Sequence, residues 1–271
     1  MMSTSDNPHS DSKADEFEHD DRVLFDSIAD EYAKKDYAKS SSMVRRYQLF
    51  FALRPIIERV FKFETIVEIA CGVGASAHYL DGLYEKYIGI DYSEKQIAAA
   101  RKFNENNPRA TFIAANIKSS VLPDVKADLI LAVGALHHMT EHEKVFAALG
   151  RLAKPGGYFV AIEPHRGNAL IQLLRGARIK LDEGYSKRQQ YYLAADLRGI
   201  LKKAGLEEIE IENEGYFSAP FAQVVIQPQF ISTPISAILL TLDRFLDKNM
   251  PSFLKKLSWN IMARGKFPEG R

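Results

Sequence analysis

Five segments rich in Val, Ile, Leu and Ala, at 65–70, 86–91, 111–115, 128–133 and 157–162, lack regular polar alternation and are separated by stretches of helix length. A strand with one wet face alternates apolar and polar residues, whereas a strand without alternation is covered on both faces. Strands of this kind spaced by helices build a parallel sheet sandwiched between helical layers. The expectation is therefore a doubly wound, Rossmann-like α/β fold. Two further runs, 206–211 and 258–263, bring it to a mostly parallel seven-stranded sheet.

Composition narrows the class. At 271 residues the chain makes one large domain or two small ones, and its 36 basic against 35 acidic side chains leave a net charge of +1. That balance gives no reason to expect nucleic-acid binding. The lone Cys71 excludes a disulfide framework and a four-cysteine zinc site, and fits a reducing compartment. No apolar run reaches the ~18 residues of a membrane span, and the start of the chain lacks a basic segment followed by an apolar one. A soluble, cytoplasmic protein is expected, with no metal site.

The chain divides into three parts. Residues 1–21 hold seven acids against Lys13 and are expected to form a disordered acidic tail. Residues 22–61 show helical spacing (Phe25, Ile28, Ala29, Tyr32; then Tyr47, Phe50, Phe51, Leu53) that stops at Pro55, and are read as a helical lid. Residues 62–271 form the main domain. Its first half, 62–165, carries the glycine loop, and its second half, 166–271, contains an apolar helical insertion at about 216–250.

The chemistry begins at Gly72 and Gly74, just past the first strand. Glycines there let backbone approach a ligand, and the helix that follows presents free N–H groups. Asp91, at the end of the second strand, is placed to accept hydrogen bonds from both hydroxyls of a ribose. This pair fits any adenosine-containing ligand, including a nicotinamide dinucleotide. Glu68 separates the options, because pyrophosphate repels a buried carboxylate whereas a sulfonium with a neighbouring ammonium does not.

Glu68-Ile-Ala70-Cys-Gly72-Val-Gly74, Gly89-Ile-Asp91-Tyr-Ser93, Ala115-Asn116-Ile117, the His137-His138-Met139 stretch after the fourth strand and Lys154-Pro155-Gly156-Gly157-Tyr158 follow one another over about 100 residues. Together they resemble the class I S-adenosylmethionine-dependent methyltransferases. The resemblance implies S-adenosylmethionine as cofactor, held by Glu68, Ala70, Gly72, Gly74, Asp91, Tyr92, Gln96, Asn116, Ile117 and Val133. Ala70 departs from a commoner glycine and Asn116 from a commoner acid. The signatures of base-amino, protein-arginine and metal-dependent catechol methyltransferases are not seen, so small-molecule acceptors fit best. An NAD-dependent oxidoreductase and a cofactor-binding module without turnover remain the alternatives.

Transfer to a hydroxyl gains from a base near neutrality, which points to histidine. His137 and His138 sit at the end of the fourth strand and His165 lies past the fifth, next to Glu163. Tyr32, Tyr37, Arg45 and Arg46 are candidates to close over a carboxylate. The apolar stretch 216–246, flanked by nine bases against three acids over 166–203 and seven against two over 244–271, suggests a lipid-linked acceptor and peripheral contact with an anionic membrane surface.

Overall fold

A computed structural model describes residues 8–119, 121–181 and 189–270. Its strands are β1 (Phe63–Ile69), β2 (Tyr84–Asp91), β3 (Ala110–Ala114), β4 (Ala127–Val133), β5 (Ala153–Pro164), β6 (Glu207–Glu214) and β7 (Asn260–Lys266). They form one sheet in the order β3-β2-β1-β4-β5-β7-β6. The first five are mutually parallel, and β7 runs antiparallel between β5 and β6. Strand order reverses between β1 and β4, the place where an open parallel sheet leaves a crevice at its carboxyl edge.

The helices are α1 (Pro8–Ser27), α2 (Ala29–Tyr37), α3 (Lys39–Ile57), α4 (Ala75–Tyr79), α5 (Glu94–Phe103), α6 (His142–Leu152), α7 (Ala169–Leu181), α8 (Ala194–Lys203), α9 (Ala219–Gln223) and α10 (Gln229–Asn249). Successive strand residues point to opposite faces, so β1 splits its apolar side chains between two cores. Val67 and Ile69 pack with Val145, Leu149, Leu197 and Leu201 of α6 and α8. Ile66 packs on the other face with Leu49, Leu53, Tyr79 and Ile97 of α3, α4 and α5. Glu68 shares the face of Ile66, and so the side of α3 and α4. Among the described residues no helix is long and apolar enough to cross a membrane.

Several local expectations shift. The acidic stretch 1–21 does not end at a boundary: α1 runs unbroken from Pro8 to Ser27, while residues 1–7 lie outside those described. Two of its acids are paired, Glu18 with Lys118 and Asp21 with His138. The helix after β1 is short and stops at Tyr79. The Thr140 hydroxyl donates to Glu18, and Glu141 (φ 54°) precedes α6. Between β6 and β7 the chain forms α9 and α10.

Pro55 does not stop α3, which continues to Ile57. Proline has no N–H for the carbonyl four residues back, which here is Phe51. The Arg264 guanidinium of β7 supplies the missing donor, with Nη2 3.2 Å from the Phe51 oxygen and Nε 2.5 Å from that of Ala52. The same side chain pairs with Glu212 at 2.6 Å, so one buried cation ties α3 to the sheet. Charge-assisted bonds of this kind contribute about 1.5–3 kcal/mol each. Arg264→Leu is expected to destabilise the fold by about 2–4 kcal/mol in chemical unfolding. Adding Pro55→Ala, which restores the helical N–H, should recover part of that loss; additive effects would show that the two positions are not coupled.

Candidate functional site

The crevice at the carboxyl edge opens into a cavity of ≈ 170 Å³. Where β1 ends, the backbone turns through left-handed conformations at Ala70 (φ 47°) and Gly72 (φ 52°). Both residues line the cavity. Gly74 (φ 71°) does not line it: it starts α4, and a Cβ there would lie 2.6 Å from the Phe112 ring. Its glycine is required by packing between the loop and β3. Cys71 is buried beside Gly89, and burial pushes its thiol up, so it remains a protonated spacer.

Glu68 and Asp91 face the cavity from adjacent strands. The Glu68 carboxylate accepts from the Ser76 hydroxyl at 2.7 Å and from Tyr87. Burial pushes it up to about 7 against the lowering effect of those two donors. Asp91 accepts one backbone N–H on each oxygen, from Gly72 and Ser93, both at 2.9 Å. Burial pushes it up to about 6. Each oxygen keeps a second lone pair. Gln96, at the start of α5, has its Nε2 on the Phe25 carbonyl (3.1 Å), while its buried Oε1 has no partner. Tyr92, Asn116, Ile117 and Val133 complete this wall. The Asn116 side chain accepts from the Lys118 N–H at 2.9 Å and so shapes the loop after β3.

The three histidines part company. His138 lines the cavity, and its Nδ1 lies 2.8 Å from an Asp21 oxygen. A carboxylate only accepts, so Nδ1 carries the proton and Nε2 holds the free lone pair. Burial, then the neighbouring His137 ring, lowers its pKa, while Asp21 raises it. His137 is buried outside the cavity, with Nδ1 2.7 Å from Glu163, and burial pushes it down to about 3. Glu163 also accepts from the N–H groups of Ala135, Leu136 and His137 (3.1, 2.8 and 3.3 Å) and so clamps the loop after β4. His165 is buried elsewhere, against Ser258, Asn213 and Gly167, with Nδ1 3.1 Å from the Ser258 hydroxyl.

The remaining wall comes from α1–α3: Glu18, Phe25, Tyr32, Asp36, Arg45 and Gln48. Arg45 reaches Asp36 at 3.1 Å and donates to the Ala222 carbonyl at 2.9 Å. Tyr37 stacks instead on Phe103 (4.4 Å), and exposed Arg46 lies over Phe50, so neither faces the cavity. Sequence reasoning missed Asp21, Asp36, Gln48, Ser76 and Lys118. None stands in a recognisable motif. Asp21 was hidden among the acids whose number suggested a tail.

Residues 67–161 match the family model described as "Methyltransferase domain". A trans-aconitate 2-methyltransferase of Acidovorax sp. is 34% identical over 50% of this chain and 51% of its own length. A ubiquinone biosynthesis O-methyltransferase of Thiobacillus denitrificans is 25% identical over 56% of the chain and 68% of its own. The chain spans about half the length of most such curated relatives. A solved SAM-dependent methyltransferase of Thermotoga maritima superposes with TM-score 0.60 at 18% identity, covering 90% of this chain and 98% of that one.

Two stability predictions follow from the loop and its carboxylate. Ala70 holds a conformation that disfavours a Cβ by about 1 kcal/mol, so Ala70→Gly is expected to raise the unfolding free energy by about 0.5–1 kcal/mol. For Glu68 the folded chain binds the proton more tightly than the unfolded one, whose value is 4.5 against about 7. Stability from this group therefore falls as pH rises through that window. The ligand-free Glu68→Gln variant, measured against wild type in urea, should gain about 1–3 kcal/mol between pH 5 and pH 8. A pH-independent difference would refute the buried-charge account.

Proposed function

Because residues 67–161 belong to the class I S-adenosylmethionine-dependent methyltransferases, we propose that the chain transfers a methyl group from that cofactor to a hydroxyl of a small-molecule or lipid-linked acceptor. The observation that carries this reading is the convergence of Glu68, Asp91 and the His138–Asp21 pair on one cavity at the strand-order reversal.

The residues fit the cofactor. Asp91 has lone pairs left for two ribose hydroxyls, and the buried, unpartnered Gln96 Oε1 can accept a further hydrogen bond. Ala70 and Gly72 bring the loop backbone to the cavity, where Glu68 favours a cationic group. Asn116, Ile117, Tyr92 and Val133 offer an amide edge and apolar surface to an adenine. When bound, S-adenosylmethionine supplies a sulfonium-activated methyl group open to in-line displacement by the acceptor.

His138 Nε2 takes the acceptor's hydroxyl proton, and Asp21 fixes its tautomer and stabilises the imidazolium that forms. His137 and His165 do not share this role: the first is locked on Glu163, and the second is turned toward Ser258. Residues 22–61 act as a helical lid that excludes water, with Tyr32 and Arg45 placed to hold a carboxylate. Hydroxyl methylation is supported by relatives such as the ubiquinone biosynthesis O-methyltransferase.

Titration calorimetry with S-adenosylmethionine is the first test. Micromolar binding by wild type and its loss in Asp91→Ala are expected; binding that survives the substitution would displace the ribose assignment. With an acceptor in hand, His138→Gln and Asp21→Asn should each lower kcat by about 10²–10⁴ while leaving cofactor affinity within a few fold. The acid limb of kcat/KM should fall below the ordinary histidine value of 6.5, because burial lowers His138. A flat profile would remove His138 as the base.

A further inference from the structure

α10 is oriented with its polar side inward. Its buried residues are Ser232, Ser236, Leu240, Asp243 and Asp247, whereas Phe230, Ile231, Ile235, Ile238, Leu242 and Phe245 are exposed. The exposed set is large: Phe230 is 79%, Ile238 69% and Phe245 62% accessible. From Ile231 onward the spacing is four, three, four and three residues, which makes one continuous stripe along the helix.

Hydrogen bonds fix this orientation. Asp243 accepts from the Ser218 N–H and hydroxyl at 2.8 and 2.6 Å. Asp247 accepts from the Tyr47 hydroxyl at 2.7 Å, and the Ser236 hydroxyl donates to the Ser40 carbonyl at 2.9 Å. Rolling the helix to bury its apolar side would break these bonds and leave the buried Ser218 donors and the Ser40 carbonyl without partners. The exposed stripe is therefore a fixed feature of the fold.

The exposed charges in the segment that carries it are of one sign. Arg244, Lys248 and Lys256 are exposed, and the only acids between residues 215 and 268 are the buried Asp243 and Asp247. Phe253, 71% accessible, and Leu257 extend the apolar surface past the end of α10. The Asn168 amide, which donates to the Leu257 carbonyl at 2.6 Å, then joins that surface to α7, whose Leu170, Leu173 and Leu174 are exposed. We propose that this face docks in the plane of an anionic lipid bilayer, with the stripe in the headgroup–acyl boundary and the lysines and arginine on lipid phosphates. Charge complementarity selects this occupant. A second copy would present the same cations, with no exposed acid in 215–268 opposite them. The helix cannot span a bilayer, so it lies along one.

The consequence for the cavity rests on the transfer reading; the docking does not. α3 lies between the two, with Tyr47 bonded to Asp247 of α10 and Arg45 and Gln48 lining the cavity. A docked chain would therefore hold its cavity within one helix layer of the lipid, which suits a lipid-tailed acceptor.

Sedimentation of the full chain with vesicles tests the docking. Vesicles containing phosphatidylglycerol should pull it down, vesicles of phosphatidylcholine alone should not, and high salt should release it. Ile238→Glu with Phe245→Glu, and separately Lys248→Glu with Lys256→Glu, should each weaken binding at least about tenfold. Circular-dichroism melting and S-adenosylmethionine titration of the variants should match wild type, since these side chains are exposed and away from the cavity. The proposal is overturned if wild type ignores both vesicles or if the variants bind as tightly as wild type. It is equally overturned if wild type is a dimer that Ile238→Glu with Phe245→Glu converts to monomer, since a second copy would then occupy the stripe. Failure here leaves the cofactor titration untouched, so the two readings fail separately.

Discussion

Three carboxylates are buried at the carboxyl edge of the parallel strands, and what each one accepts decides what it can do. Glu163, at the end of β5, is surrounded by three backbone N–H groups and the His137 ring, so its charge is fully engaged in holding the loop after β4. Asp91, at the end of β2, accepts a single N–H on each oxygen and keeps capacity toward the cavity. Glu68, on β1, is held by two hydroxyls that leave its charge costly to maintain. Burial raises all three acids, but only the two that line the cavity can be relieved by a cationic or hydroxyl-bearing ligand.

The helical layer over that edge depends on a compensation between two distant residues. Pro55 leaves the Phe51 carbonyl without its helical donor, and Arg264, on the last strand, fills the vacancy. α3 is thereby tied to the sheet from one side. On the other side it bonds to α10 through Tyr47 and Asp247, and at its start through Ser40 and Ser236. The side chains that α3 turns into the cavity, Arg45 and Gln48, are thus positioned by contacts with both the sheet and the outer helix.

Much of the site could be read from the chain because local chemistry demanded it. Glycines after an apolar strand, followed by an acid at the end of the next strand, have few alternative explanations, and Glu68, Gly72, Asp91, Gln96 and Asn116 do meet at one cavity. Gly74 shows the limit of that logic, since its glycine satisfies the Phe112 ring instead. The adjacent His137 and His138 could not be told apart by position. One faces inward to a β5 carboxylate and the other meets Asp21 from a segment 117 residues earlier.

What the sequence by itself determined was the parallel sheet, its glycine loop and the strand-end acids, because hydrophobic period and turn chemistry act within a few residues. Only the tertiary structure decided which histidine keeps a free lone pair, that the acidic N-terminal stretch contributes Asp21 to it, and which side of α10 faces water. Each of these depends on where a buried charge finds its donor, and such donors lie on elements far apart in the chain. For α10 the apolar residues alone would have favoured the opposite orientation. The donors of Ser218 and Tyr47, which take Asp243 and Asp247 as their acceptors, outweigh them and leave the apolar stripe outside.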